Sequence, residues 1–239
     1  MGESRVGHKI GMDEEIMPYI DMANLACGFH ASEPVTMHRS IKLAKTYDVT
    51  IGAHPSYPDL EGFGRREMDC SIEEIVSLVL YQCGALDGIC RSYGEKVSYV
   101  KPHGALYNTM MKDREVFKAI CKAVSKYDTN IKLMILSTTQ NHIFEKLAQK
   151  YNITLLYEVF ADRAYTDEGL LVSRSEPNAM LQTSEEIRQR AQLLLEKGSL
   201  KTVNGNLIEL QADTICVHGD TQEALEHIKI LHHFLNHEN

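Results

Sequence analysis

The sequence predicts an α/β fold in which parallel strands are joined by helices and arranged as a barrel. Three observations predict it. Short apolar, β-branched runs alternate along the chain with longer amphipathic stretches, and strict alternation implies a parallel sheet with crossover helices. An open doubly wound sheet would favour a Gly-rich phosphate turn after its first strand, yet neither G-x-G-x-x-G nor G-x-x-x-x-G-K-[ST] occurs. Finally, His30, His54, His103 and His218 each stand where the chain leaves an apolar run. Barrels gather their chemistry at that end of the strands.

Strands are expected at Met22–Ala26, Val49–Ala53, Val97–Val100, Lys132–Leu136, Thr154–Val159 and Thr214–Val217. Helices are expected at Glu33–Tyr47, Ser71–Tyr93, Asp113–Lys126, Thr139–Tyr151, Ser184–Glu196 and Thr221–Phe234. Ile75, Leu78, Val79, Leu86 and Ile89 set a buried stripe on the second helix, and Ser71 with Glu74 forms a capping-box signature at its start. Two segments break the alternation. Leu170–Arg174 after Thr166-Asp167-Glu168-Gly169 reads as one arm of a short hairpin. Leu200–Val203 and Leu207–Leu210 flank Asn204-Gly205, a strong hairpin signal. Both read as excursions, so residues 1–239 are expected to form a single domain.

Composition excludes several classes. The net charge is −8 and the basic residues are spread along the chain, which gives a nucleic-acid groove little support. No apolar run approaches the roughly 18–20 residues of a membrane helix, and the N-terminus lacks the apolar core of a signal peptide. The six cysteines form no C-x-x-C pair and read as reduced core thiols of a cytoplasmic protein. Cys27 reads as a buried small hydrophobe rather than a nucleophile.

Four loops carry the chemistry. His54-Pro55-Ser56-Tyr57-Pro58-Asp59-Leu60-Glu61-Gly62-Phe63-Gly64-Arg65-Arg66 is long, irregular and fixed by two prolines and two glycines, which marks it as functional. Lys101-Pro102-His103-Gly104-Ala105-Leu106-Tyr107-Asn108 places a cation at a strand end, suited to an anion or a carbonyl. Glu158, Asp162 and Arg163 crowd a third strand end: the acids suit acid–base work, the guanidinium a carboxylate. A structural Asp162–Arg163 ion pair explains that crowding equally well. His218 ends the last strand, where Asp220 or Thr221 is expected to cap the next helix. His227, His232, His233 and His237 read as residues of a solvated C-terminal helix. These histidines and carboxylates suit a divalent ion. Neutral histidines that hydrogen-bond or act as bases explain them as well, and no metal ligand is assigned.

Read together, the loops resemble the LamB/YcsF family, whose members are the A subunits of bacterial ATP-dependent 5-oxoprolinases. The segments that carry the resemblance are Ala23–Ala31, Ile51–Pro55 continuing through Asp59 to Gly62–Arg66, Val100–Asn108, Glu158–Tyr165 and Ala212–Thr221. The resemblance implies an irregular TIM-like (β/α) barrel of the glycoside hydrolase/deacetylase type. It implies cleavage of 5-oxo-L-proline to L-glutamate, with ATP as co-substrate and the 5-oxoprolinase subunits B and C as partners. On this reading His54, Asp59, His103, Glu158, Asp162 and His218 are catalytic. Asn24, His30, Arg65, Lys101, Asn108 and Arg163 bind substrate. Two alternatives stay open: a metal-dependent deacetylase or amidohydrolase acting alone, and a non-catalytic scaffold within the complex. Family members begin with a strand resembling Asp-Leu-Asn-Cys-Asp-Leu-Gly-Glu-Ser, of which Met1-Gly2-Glu3-Ser4 keeps only the tail. The first barrel strand is therefore expected to be missing, which would leave exposed edges.

Overall fold

The structure, a computed structural model, describes residues 1–5, 10–173, 176–181, 183–219 and 222–237, with the side chains of Gln222 and His237 excepted. The expected caps Asp220 and Thr221, Arg174 at the end of the expected hairpin arm, and the His237 side chain lie outside that set. The chain forms two compact units: Met1–Ile135 with Glu145–Leu155, and Leu136–Phe144 with Leu156–Asn239. Among the described residues no helix is long and apolar enough to cross a membrane.

The first unit begins with a short helix α1 (Asp13–Ile16) and a 3-10 turn at Met17–Tyr19, neither expected from the periodicity. Strands β1 (Met22–Ala26), β2 (Thr50–His54), β3 (Tyr99–Val100) and β4 (Lys132–Leu136) are parallel neighbours in that order. Ala26 pairs with His54, Ala53 with Val100, and Val100 with Leu133, so β1, β2 and β3 end at a similar level while β4 runs three residues further. β4 is buried after its first residue, as expected where both faces of a parallel sheet are covered. Gly52 is required on β2 because the Tyr99 ring lies where a Cβ would stand.

Helix α2 (Pro34–Thr46) starts with proline in its first turn, where the missing N–H costs no hydrogen bond. Helix α3 (Ile72–Ser92) starts at the expected capping box: Ser71 accepts from the Glu74 N–H, and the Glu74 carboxylate accepts from the Ser71 N–H. Val79, Cys83 and Leu86 are fully buried on α3, which packs on α5 (Arg114–Tyr127), where Phe117, Ile120 and Val124 are fully buried too. Each such aliphatic or aromatic side chain contributes about 1.5–3 kcal/mol through burial. Between β3 and α5 stands α4 (Gly104–Lys112), where Pro102 and Gly104 suggest only a loop. Those two residues instead start the helix, and Ala105, Leu106 and Met110 bury it. Along β1, Met1 donates its N–H to Asn24 O and accepts from Ala26 N–H, so the flank of β1 expected to stand open carries main chain there.

Helix α6 (Asn141–Gln149) and strand β5 (Thr154–Phe160) follow. In the second unit β5 pairs in parallel with β8 (Thr214–Cys216), Glu158 opposite Thr214 and Phe160 opposite Cys216. Helix α7 (Ser184–Lys197) carries a second capping box, Thr183 with Glu186, and ends on Gly198 at φ 60°. The Asn204-Gly205 hairpin forms as expected from antiparallel β6 (Ser199–Lys201) and β7 (Leu207–Glu209). The Asp167 carboxylate ties it down, accepting from Thr202, Asn204 and Asn206. Among the described residues the other expected hairpin shrinks to an isolated bridge, Tyr165 with Leu171, across a turn in which Thr166 N–H donates to Leu170 O. Ile187 and Ala191 of α7 share a core with Ala161 and with Leu231 and Phe234 of α8 (Gln222–His237).

Candidate active site

In the first unit the loop after β2 is fastened from below. Gln82, fully buried on the apolar face of α3, accepts from Ser56 N–H at 2.9 Å and donates to Ser56 O at 2.8 Å. Sequence reasoning misses this role, although a polar residue in the middle of an apolar stripe is the signal for it. The Ser56 hydroxyl donates to Tyr57 O and lies 3.0 Å from His30 Nδ1. With its own proton committed, the hydroxyl accepts there, so His30 Nδ1 carries the hydrogen. His30 is completely buried, and its Nε2 has no hydrogen-bond partner among the described residues.

His54 and His103 complete a group of three rings. His54 Nδ1 lies 2.6 Å from Lys101 O, His54 Nε2 lies 3.0 Å from His103 Nδ1, and His103 Nε2 lies 2.9 Å from Phe63 O. His30 stacks on His103, centroids 3.8 Å apart and planes 7° apart. Burial pushes all three rings toward the neutral form, His103 down to about 3. Phe63 adopts φ 56°, a left-handed conformation rare for an aromatic residue and of the kind that gathers at functional loops. Gly64 and Gly104 also need positive φ, and a Cβ on Gly104 would collide with Gly64 O.

Glu3, part of the Met1-Gly2-Glu3-Ser4 segment but given no site role from the sequence, lies 3.8 Å from His30 Nε2, an ion-pair distance rather than a hydrogen bond. Burial raises its pKa, but the Met1 α-amino group and His30 outweigh that and hold it at about 2. Ligand-type atoms of Glu3, His30 and His103 lie within 4.8 Å of one another, the outline of a metal centre. The ring planes argue against one in this arrangement. An imidazole binds a metal through a lone pair in its own plane, and the His30 and His103 planes are stacked and nearly parallel. An ion cannot lie in both planes at once, and both His103 nitrogens already face partners.

Asp59 closes its own loop: its carboxylate accepts from Gly62 and Arg66 N–H and from the Arg66 guanidinium, which holds its pKa at about 2. Arg65 is exposed, its guanidinium 5.3 Å from the Phe63 ring. Lys101 is buried, its Nζ 5.8 Å from the Tyr107 ring. The Asn24 side chain accepts from Tyr99 OH, and Asn108 is exposed on α4. Cys27 is buried and its thiol is pushed up to about 12, which suits a core residue.

The second unit holds a dyad. His218 Nδ1 lies 2.7 Å from Asp162 Oδ2, and the ring stacks on Phe160 at 5.7 Å. A carboxylate only accepts, so Nδ1 carries the hydrogen, and Nε2 is the position left for base chemistry in that tautomer. The His218 side chain is 28% exposed and Asp162 is buried. Burial alone would raise the Asp162 pKa; the hydrogen bond and charge of His218 more than offset it, and it is lowered. Its Oδ1 is buried without a partner among the described residues. Glu158 is completely buried on β5. The Arg163 guanidinium donates to Val172 O at 2.6 Å and Ala179 O at 3.4 Å. It thus binds main-chain carbonyls rather than presenting the open fork that a carboxylate needs.

Known proteins resemble this chain along nearly all of its length. The LamB/YcsF family model matches residues 1–239. The chain is 49% identical over 225 residues to the 5-oxoprolinase A subunit of Vibrio parahaemolyticus, covering 94% of this chain and 89% of that protein. It is 47% identical over 231 residues to the 5-oxoprolinase A subunit of Chromohalobacter salexigens, covering 97% and 92%. The crystal structure of a lactam utilization protein from Thermus thermophilus matches with a TM-score of 0.92 and 38% identity, covering all of this chain and 94% of that one. The α/β class expected from the sequence, of the irregular TIM-like barrel type, is borne out.

Proposed function

The chain belongs to the LamB/YcsF family, and from that premise we propose that it is the A subunit of an ATP-dependent 5-oxoprolinase, converting 5-oxo-L-proline to L-glutamate with subunits B and C in the cytoplasm. What carries the reading is its likeness, over 94–97% of its length, to proteins named as 5-oxoprolinase A subunits. The coupling has a chemical reason. The five-membered lactam is a stable amide, and phosphorylation of its oxygen by ATP makes the ring carbon electrophilic. Water is deprotonated as it attacks that carbon, the ring C–N bond breaks and the nitrogen takes a proton to become the amine of γ-glutamyl phosphate, and a second water releases inorganic phosphate to leave glutamate and ADP. His218 supplies the base: Asp162 holds Nδ1–H, so Nε2 takes the proton from water. Asp162 is a positioning residue that also stabilises the imidazolium as it forms.

Arg163, Asp59 and the three histidines are assigned to holding main chain and loops, on the bonds described above. The experiment mixes the purified chain with its B and C partners, 5-oxoproline and ATP. Glutamate released in step with ATP consumption is the expected result, and no glutamate rejects the reading. Activity unchanged in the His218→Ala complex would instead favour the scaffold role.

A further inference from the structure

Protons can be counted along one chain of hydrogen bonds in the first unit. It runs from Lys101 O to His54 Nδ1, from His54 Nε2 to His103 Nδ1, and from His103 Nε2 to Phe63 O, at 2.6, 3.0 and 2.9 Å. Both ends are carbonyl oxygens, which accept and never donate. His54 Nδ1 and His103 Nε2 must therefore each carry a hydrogen. Two neutral imidazoles hold one N–H apiece, and both are now placed. That leaves His54 Nε2 and His103 Nδ1 facing each other as two bare lone pairs at a hydrogen-bond distance.

We propose that His54 and His103 share one additional proton between those facing nitrogens, making a buried imidazole–imidazolium pair with a single positive charge. The charge strengthens the hydrogen bonds at both ends, because charge-assisted bonds are the strong ones. It thereby ties Phe63 in its left-handed conformation to the end of β3. The ring planes cross at 80° with centroids 4.8 Å apart, the edge-on approach that an N–H···N bond allows.

Other charged and titratable groups surround the pair. His30 lies flat on His103, and Glu3 stands beyond it at 3.8 Å from His30 Nε2. The Met1 α-amino group, Lys101 and Arg65 add positive charge nearby, and Glu3 is the counter-charge among the described residues. Burial works against a charge on either ring. A proton shared by two rings spreads that charge, and the apparent values then belong to the pair rather than to one ring. The inference concerns the charge state of the first unit and stands whether or not the His218 assignment holds.

Nitrogen-15 NMR of the full chain labelled at histidine tests it, with His54 and His103 assigned through the His54→Gln and His103→Asn variants. Should either variant fail to fold, assignment proceeds by through-bond correlation in the unsubstituted protein. At pH 7 we expect three protonated nitrogens among the four of the pair, with a strongly deshielded proton between the rings. One bare, pyridine-type nitrogen on each ring at pH 7 overturns the proposal. In Glu3→Gln the shared proton should leave at lower pH than in the parent protein, and an unchanged midpoint rejects Glu3 as its counter-charge.

Discussion

Asp162 and His218 come from the ends of two neighbouring parallel strands and meet at 2.7 Å, carboxylate to Nδ1, with the imidazole partly exposed and the acid buried. On the proposed function that asymmetry separates their roles: the buried partner orients and the exposed one reacts. Asp162→Asn should leave the protein folded and lower kcat of the assembled enzyme by roughly 10²–10⁴, the range of general acid–base catalysis, with KM little changed. Steady-state assays of glutamate release measure both constants. A variant with parental kcat would assign the dyad to structure.

The buried His30 ring makes folding sensitive to acid. Its pKa is lowered in the folded protein, chiefly by burial, whereas the unfolded chain takes up the proton near pH 6.5. The stability tied to the neutral ring is full above about pH 6.5 and declines as the pH falls toward the folded value. Each such proton contributes up to about 1.4 kcal/mol per pH unit. Thermal melts between pH 7 and 5 should show the decline, and His30→Gln should reduce its slope. An equal slope in the variant would assign the acid sensitivity elsewhere.

Gly104 should tolerate no side chain. It sits at φ 55°, and a Cβ there meets the carbonyl oxygen of Gly64, part of the main chain rather than a movable side chain. Gly104→Ala should cost about 2–4 kcal/mol, the sum of left-handed strain and overpacking. Urea unfolding curves measure it, and a loss within error of zero would refute the packing described.

Removing the Asp59 carboxylate should release its loop. The loop returns on itself through Gly62 and Arg66, and the basic residues Arg65 and Arg66 are exposed to trypsin. Asp59→Ala should be cut at those arginines faster than the parent protein while α3 and α5 remain intact. Identical digestion patterns would show that the Gln82 clamp on Ser56 holds the loop without help.

The stacked His30 and His103 planes predict that purified protein holds no stoichiometric divalent metal at Glu3, His30 and His103. Chelator should leave the activity of the complex unaltered except through the magnesium that accompanies ATP. One zinc or manganese per chain, lost together with activity, would restore the metal-dependent alternative and require the rings to turn.

The Lys132–Leu136 strand and the Ser71–Glu74 cap are legible in the sequence because each is a local pattern: a run of apolar residues, a hydroxyl three positions before a carboxylate. The Asn204-Gly205 turn is legible for the same reason, its geometry being fixed by the residues that form it. Helix α4 is not, since proline and glycine break helices in the interior, yet Pro102 and Gly104 start one here. The order of the loops and their histidines points to the strand ends, and the strand register puts His54 at such an end, opposite Ala26. Roles within those loops needed the tertiary structure. No sequence spacing shows that Asp59 turns to Arg66, that Arg163 holds carbonyls, or that Glu3 approaches His30. Periodicity and turn chemistry act over a few residues and can be read along a chain. Hydrogen bonds between residues as far apart as Asp162 and His218, or His54 and His103, depend on which strands lie side by side, and only folding decides that.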